Sequence, residues 1–455
     1  MKPLTSSDTD HVAAKSGVIM DRHPDDLKPW PGNPRTHSDK QLVKLKASIR
    51  KFGFTAPVLT DEADFILSGH GRVQAAKDLG LSAIPTRVIS GLSKAQKRAY
   101  VIADNKLAQL SGWDSTLLKS ELEILISDDF DIETTGFSTA EIDVMLNGAE
   151  ELDGTDPEDL QDDDLAEDVV SQTGDLWQLG DHRLLCGDAL RPESYAELMK
   201  GDKAQVVITD PPYNVPIAGN VCGKGKVKHQ EFAMASGEMS AQEFTAFLNR
   251  AVANAHQFSQ DGAIQYFFMD WRHMREILDA ALPIFGQPRQ VCVWVKDNGG
   301  MGAFYRSQHE MVFVFKKGNT AHINNFELGQ HGRYRTNVWT YPGVNTFTGG
   351  GHNLLALHPT VKPVSLIADA LRDCSHRKGV VLDPFAGSGT ILVAAERAGR
   401  TARAIELDPR YVDVAIRRWQ RVTGKHAALT TTGQPWDQVR VQRLGGLGNG
   451  DDHGV

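Results

Sequence analysis

Thr209-Asp-Pro-Pro-Tyr213 closes a short apolar run, and its residue types suit one demanding step. That step is attack by an amine whose lone pair is delocalised into an aromatic ring. Such a nitrogen must be drawn toward sp³ geometry before it can take a methyl group from a sulfonium. Two hydrogen-bond acceptors aimed at its two N–H bonds can do this, and one can later take the proton. The Asp210 carboxylate and the Pro211 carbonyl are candidates for those acceptors. Pro211 and Pro212 stiffen the turn and remove backbone donors that would compete. Tyr213 offers a ring face for stacking a base, which becomes reachable once it leaves the duplex stack. Four residues alone do not decide the matter, because Asp-Pro-Pro is equally a tight turn that ends a strand.

A second stretch, Leu382-Asp-Pro-Phe-Ala-Gly-Ser-Gly-Thr390, reads as strand, turn and helix start. Its glycines admit close backbone approach, and the helix N-terminus favours a carboxylate or similar anion. No Gly-Lys-Ser/Thr follows, so this is not a phosphate P-loop, and the three-glycine dinucleotide fingerprint is missing too. Glu406 lies seventeen residues after Gly389, at the end of the next apolar run. That spacing suits an acid accepting hydrogen bonds from ribose hydroxyls.

Together these stretches resemble the amino-directed DNA methyltransferases that use S-adenosylmethionine, in the permuted order called the β class. In that class the target-base motif precedes the cofactor loop, as Asp210 precedes Asp383 here. His358-Pro-Thr-Val-Lys-Pro363 matches the motif placed just before the loop. The resemblance implies that Asp210, Pro211, Pro212 and Tyr213 handle the target base. It implies that Asp383, Phe385, Gly387 and Gly389 line the cofactor loop, with Glu406 on the ribose and Asp188 as a further cofactor-side acid. Thr360 and Lys362 fall where the family holds the methionine end of the cofactor. The expected reaction is methyl transfer to an exocyclic amine of a flipped base in double-stranded DNA. Asp rather than Ser at 210 leans toward adenine N6, with cytosine N4 and RNA as alternatives. Cytosine C5 chemistry is disfavoured, since no Pro-Cys nucleophile is present. Lys224, Lys226 and Lys228, just after the catalytic loop, are expected to meet DNA phosphates. A polar insert at 319–357, with Arg333 and Arg335, is the expected target-recognition element.

The elements that must position these residues read as an α/β fold. It is a Rossmann-like methyltransferase domain over 173–430 with a mostly parallel, seven-stranded sheet. Apolar runs at 183–186, 204–209, 263–268, 290–295, 310–315, 379–382 and 402–406 supply the strands. Those at 290–295 and 310–315 read as buried on both faces. The motif order requires the strand bearing Asp210 to lie beside the later strand bearing Asp383.

Ahead of this lies a smaller α+β domain over 23–147. Asn33-Pro-Arg35, Gly53-Phe-Thr-Ala-Pro57 and Ser68-Gly-His-Gly-Arg-Val-Gln-Ala-Ala76 resemble the N-terminal domain of ParB-type partition proteins, a ParB/sulfiredoxin-like fold. In that family the corresponding turn binds the phosphates of a cytidine nucleotide and carries several arginines. Here it retains Arg72 alone, beside His70, Gly71 and Gln74. Nucleotide binding at this turn is therefore left open, as is a homodimer. A ParB-type nucleotide-switched DNA-binding protein with a vestigial methylase is the alternative of another class.

The net charge of −9 taken alone disfavours DNA, yet Glu150 to Asp168 holds eleven acids and no base. Without that stretch 47 acids face 49 bases, so local basic patches are allowed. Residues 148–172 read as an acidic linker held extended by self-repulsion. Residues 1–22 and 440–455 read as disordered ends. Four scattered cysteines without a CxxC pair read as reduced thiols, with no metal site. No secretory signal or membrane span is apparent, so a cytoplasmic protein is expected.

Overall fold

The computed structural model describes residues 18–148, 168–214 and 237–445, apart from 298, 300–303, 327, 328, 330–332 and 344–360. The chain divides into two compact units, Met1–Leu146 and Asn147–Val455.

In the first unit, β1 (Ile19–Arg22), β2 (Val58–Thr60), β3 (Ile66–Ser68) and β4 (Ile84–Val88) form a sheet in the order β1-β4-β2-β3. β1 lies in the terminus expected to be disordered. Its pairing with β4 from Ile19↔Arg87 to Arg22↔Ile84 corrects that boundary. Helix α1 (Asp39–Phe52) starts where Ser38 Oγ accepts from Gln41 N, and it ends at Gly53, φ +79°. Helix α2 (His70–Asp78) follows the glycine turn. Leu27, Val58, Ile66, Val73, Ala76 and Ile84 form the small core. Helices α3 (Lys94–Leu110), α4 (Ser115–Ser127) and α5 (Thr139–Asn147) follow. The last two share a separate core of Leu122, Ile132 and Ile142. The capping box at Ser138 is present: Glu141 Oε2 accepts from Ser138 N at 2.6 Å.

The second unit is a layered α/β domain. Its strands are β5 (Leu176–Leu179), β6 (His182–Cys186), β7 (Ala204–Thr209), β8 (Ser259–Met269), β9 (Gln290–Val295), β10 (His309–Lys316), β11 (Val338–Thr340), β12 (Val380–Asp383), β13 (Thr401–Glu406) and β14 (Ala427–Leu429). They form one sheet in the order β11-β9-β10-β8-β7-β12-β13-β6-β5-β14. The seven expected strands are all present. Three short ones, β5, β11 and β14, extend the sheet to ten, because three- and four-residue strands leave little periodic signal.

The helices are α6 (Pro192–Met199), α7 (Ala241–Gln257), α8 (Met274–Phe285), α9 (Val364–Cys374), α10 (Thr390–Ala398), α11 (Pro409–Thr423) and α12 (Trp436–Gly445). Strand side chains alternate between the two faces. Val206, Ile208, Val381, Ala402 and Ala404 share one core with Leu366, Ile391, Ile416 and Trp419 of α9, α10 and α11. Val207, Leu382 and Ile405 point the other way, into a core with Tyr195 and Leu198 of α6. Phe267 and Phe313 join Phe244, Phe247 and Ile277 of α7 and α8 on that opposite face. The central sheet is thus covered on both faces.

Within the sheet β8-β7-β12-β13-β6 is parallel throughout. β10, by contrast, runs antiparallel to both β8 and β9. The reading of 290–295 as buried on both faces is corrected. β9 is covered at alternate residues, Cys292 and Trp294, as befits a strand near the sheet edge.

Two boundaries also move. Asp413, itself buried, accepts from Val170 N at 2.7 Å, Ser171 Oγ at 2.6 Å and Trp436 Nε1 at 3.0 Å. The folded unit therefore begins before the expected end of the linker. It continues through α12, whose Trp436 and Val439 are buried, into residues expected to be disordered. Removing one buried acceptor strands all of its donors, at a cost of about 1–3 kcal/mol or more. Asp413→Ala should lower unfolding stability by roughly 2–4 kcal/mol. Hydrogen exchange should show lost protection concentrated at 170–175 and 436–445.

Candidate active site

Because β7, β12, β13 and β6 are parallel neighbours, their carboxyl ends meet at one edge of the sheet, where such folds place ligands. Asp210 follows β7, Asp383 ends β12, Glu406 ends β13, and Asp188 follows β6. A single cavity there is lined by Asp188, Asp210–Tyr213, Lys362, Asp383, Phe385, Gly387 and Glu406. The structure thus brings together most of the residues singled out in the sequence.

Thr209 Oγ1 donates to Asp383 Oδ1 at 2.7 Å and ties the two motif-bearing strands together. Phe385 N donates to the same oxygen at 3.0 Å. Burial pushes the Asp383 carboxyl up to about 7 against those two donors, and the Asp210 and Glu406 charges add to the rise. Glu406 accepts from Gly387 N and Asp408 N, both at 2.8 Å. Burial raises it to about 7 as well, the two backbone donors opposing.

Gly387 adopts φ +51°, a left-handed conformation that glycine takes without strain. Gly389 has a different task from the one expected. It does not line the cavity. A Cβ there would come within 2.6 Å of Ala415 Cβ, so the glycine lets α10 pack against α11. Arg418, buried on α11, braces the loop from behind, donating to the Ser388 carbonyl and to Thr390 Oγ1.

Asp210 sits in a ring of polar contacts. Tyr213 Oη donates to Asp210 Oδ1, and Lys362 Nζ pairs with Asp210 Oδ2. Tyr213 Oη and Lys362 Nζ each also lie 3.1 Å from Glu310 Oε2. Lys296 Nζ takes the other Glu310 oxygen. Lys362 lies over the rings of Phe268 and Trp294, 5.2 and 5.9 Å from their centroids. Burial pushes Asp210 above the ordinary carboxylate value; Lys362 opposes this and Glu310 adds to it. Burial acts on Glu310 in the same direction, but two ammonium groups outweigh it and hold it at about 2.

Glu310 and Lys296 were not anticipated in the sequence. Each borders an apolar run: the antiparallel turn-back of β10 brings Glu310, near its start, to the edge at which β9, running the same way as β8, ends just before Lys296. Lys362, expected at the methionine end of a cofactor, is engaged by the two carboxylates.

Other expected contacts fare differently. Arg333 and Arg335 are not available to phosphates, which corrects the expectation that they meet DNA. Arg333 is buried and pairs with Asp369 at 3.1 Å and Asp373 at 2.7 Å. Arg335 is paired with the same two acids, its guanidinium over Trp339 and Tyr341. Two carboxylates on the buried helix α9 need cationic partners, and the insert supplies them. The insert is also anchored by Asn325, which donates to the Arg372 and Ser375 carbonyls, and it contributes strand β11. Lys224, Lys226, Lys228 and Thr360 lie outside the described residues.

In the first unit, Gly69 takes φ +103° at the expected turn. Arg72 does not project from it. Its guanidinium donates to the Ala56 and Pro57 carbonyls, and His70 Nε2 accepts from Trp30 N at 3.1 Å. The one arginine retained at this turn thus faces the protein's own backbone.

Comparison with known families agrees with this architecture. Residues 204–417 match the N6/N4-type DNA methylase family, residues 8–106 the ParB N-terminal domain, and residues 116–173 the ParB-methyltransferase HTH domain. The chain is an amino-directed DNA methyltransferase carrying an N-terminal ParB-like domain. The ParB-like nuclease domain-containing protein YnaK of Escherichia coli K12 is 46% identical over 80 residues, 18% of this chain and 92% of that protein. The DNA adenine methyltransferase YhdJ of the same organism is 25% identical over 262 residues, 52% of this chain and 81% of YhdJ. The structure of PvuII DNA methyltransferase, described as cytosine-N4-specific, is 14% identical with a TM-score of 0.41, covering 58% of this chain and 94% of its own.

The HTH match includes helices α4 and α5, whose sequence shows no more than helical periodicity. Their segment, 115–147, carries one lysine against eight acids, so no basic face marked it. Among the described residues no helix is long and apolar enough to cross a membrane.

S-adenosylmethionine is the cofactor of this class, and the residues present fit it. Asp188, Asp383 and Glu406 complement a cation that carries hydroxyl donors. Glu406 gives a test. A carboxyl raised in the folded state binds its proton more tightly there than in the unfolded chain. Its contribution is full below about pH 4.5 and is lost as pH rises through about 7. Glu406→Gln removes this slope. The variant should match wild type near pH 4 and exceed it by up to about 3 kcal/mol near pH 8 in denaturant titrations without cofactor. Its affinity for S-adenosylmethionine, measured by calorimetry, should fall by about tenfold or more.

Proposed function

We propose that the enzyme transfers the methyl group of S-adenosylmethionine to adenine N6 in double-stranded DNA. The observation that carries this is the shared cavity: Asp210 and Tyr213 face the same space as Asp383, Gly387 and Glu406. S-adenosylmethionine supplies an electrophilic methyl sulfonium. All other steps belong to the chain's own groups.

Glu406 accepts from the ribose hydroxyls, and Asp188 serves as a further acid on the cofactor side. Phe385, next to Phe247 at 5.9 Å between ring centroids, closes an apolar wall. On the other side, the Asp210 carboxylate and the Pro211 carbonyl accept from the two amine N–H bonds. The lone pair is thereby drawn out of conjugation and toward the methyl carbon. Each carboxylate oxygen has two lone pairs, so Asp210 can accept from the amine while keeping Tyr213 and Lys362. After transfer the nitrogen is cationic, and Asp210 takes its proton. The base must leave the helix to reach this depth, and Tyr213 offers the ring that receives it.

Adenine is favoured by the aspartate at 210 and by the likeness to YhdJ, which is named as a DNA adenine methyltransferase. The test is nucleoside mass spectrometry on duplex DNA, and separately on RNA, after incubation with S-adenosylmethionine. The expected product is N6-methyladenine in the DNA arm. N4-methylcytosine, or methylation confined to RNA, would overturn the substrate assignment. Asp210→Ala should cut methyl transfer by roughly 10²-fold or more while leaving cofactor affinity within a few-fold. Activity persisting in that variant would remove Asp210 from the chemistry.

A further inference from the structure

Glu310 lies outside every motif that marks the site, on a strand that runs against its neighbours. Its carboxylate nonetheless closes a four-membered circuit: Asp210 to Tyr213, Tyr213 to Glu310, Glu310 to Lys362, Lys362 back to Asp210. A second ammonium, Lys296, takes the oxygen facing away from the circuit. Two carboxylates are thus matched by two ammonium groups, as charges held largely out of water require.

The single proton of the Tyr213 hydroxyl can serve one carboxylate at a time. Glu310 has two cations and Asp210 has one. The proton therefore goes to Asp210, the poorer supplied of the two. Without Glu310, Lys362 would be bound by Asp210 alone, and Lys296 would lose its partner.

We propose that Glu310 is a positioning residue for methyl transfer: it holds Lys362 and Tyr213 against Asp210, with Lys296 as its counter-charge, so that the Asp210 carboxylate is fixed in orientation toward the target amine. This rests on the assignment of Asp210 as the acceptor of the amine. The charged and titratable groups that face Asp210 are Lys362 ahead of α9, Glu310 on β10, Lys296 after β9, Tyr213 in its own loop, Asp383 on β12 and Glu406 on β13. Glu310 is a like charge to Asp210, and Lys362 is an opposite one. Their removal must move the ionisation of Asp210 in opposite directions.

The test is the pH profile of kcat for methyl transfer to duplex DNA at saturating S-adenosylmethionine, for wild type, Glu310→Gln, Lys362→Met and Lys296→Met. The acid limb of Glu310→Gln should move down by roughly one pH unit, and that of Lys362→Met should move up by a similar amount. Lys296→Met should move it up by less, because Lys296 acts through Glu310. Cofactor affinity is measured alongside, and Glu310→Gln should keep it within a few-fold while kcat falls. A purely structural role would lower activity without moving the limb. Coincident acid limbs in all four proteins, or an upward shift in Glu310→Gln, would overturn the proposal. Should Glu310→Gln not fold, the two lysine variants decide alone, since unmoved limbs in both would also overturn it. Asp210→Ala separates the two claims. If it retains activity, the assignment of Asp210 fails and the proposal with it. If it is inactive while the limbs coincide, only the role of Glu310 fails.

Discussion

The parallel pairing of β7 with β12 is the constraint on which the site depends. Val206 and Val207 oppose Val381 and Leu382 across residues far apart in the chain, and the Thr209 hydroxyl reaches the Asp383 carboxylate just beyond. Parallel strands place their carboxyl ends on the same side of a sheet, so this one pairing makes neighbours of the loop that handles a base and the loop that handles a cofactor. Hydrophobic alternation fixes its register. Val207 and Leu382 must face the α6 layer, while Val206 and Val381 face the opposite one. A slip by one residue would reverse every side chain and expose the core.

A second constraint is electrical. The edge where the loops meet gathers Asp188, Asp210, Glu310, Asp383 and Glu406 around one cavity and its wall. Burial makes each such charge expensive. The structure answers in two ways. Around Asp210 it supplies cations, Lys362 directly and Lys296 through Glu310. Around Asp383 and Glu406 the described residues supply backbone and hydroxyl donors but no cation, and both carboxyls are left near 7. The half without cations suits a ligand that brings its own positive charge. The half already neutralised suits an uncharged amine that becomes cationic only during reaction. The division of labour between the two motifs is therefore visible in how their acids are compensated.

Much of this was legible in the sequence, because strand-ending motifs carry their own context. Asp210, Asp383 and Glu406 each close an apolar run, and parallel runs share an edge. Glu310 and Lys296 were not legible for the converse reason. Glu310 reaches the same edge only because β10 runs antiparallel, and an apolar run does not reveal its direction; Lys296 ends β9 with no motif to mark it. Arg333 and Arg335 misled because arginines in a polar, glycine-rich insert look like a surface. Asp369 and Asp373, which need them, sit on a helix whose complete burial no periodicity announces. Gly389 was seen as part of a cofactor loop, whereas the close approach of Ala415 explains it through helix packing. The short strands β1, β5, β11 and β14 were missed because each offers too few residues to establish a period.

The central claim is that one cavity holds the methyl donor against the acceptor of the target amine. A crystal structure with S-adenosylmethionine bound tests it most directly. The account predicts the ribose hydroxyls on Glu406 and the sulfonium methyl directed toward Asp210. A cofactor bound elsewhere, or one whose methyl group points away from Asp210 with Tyr213 on its far side, would contradict it.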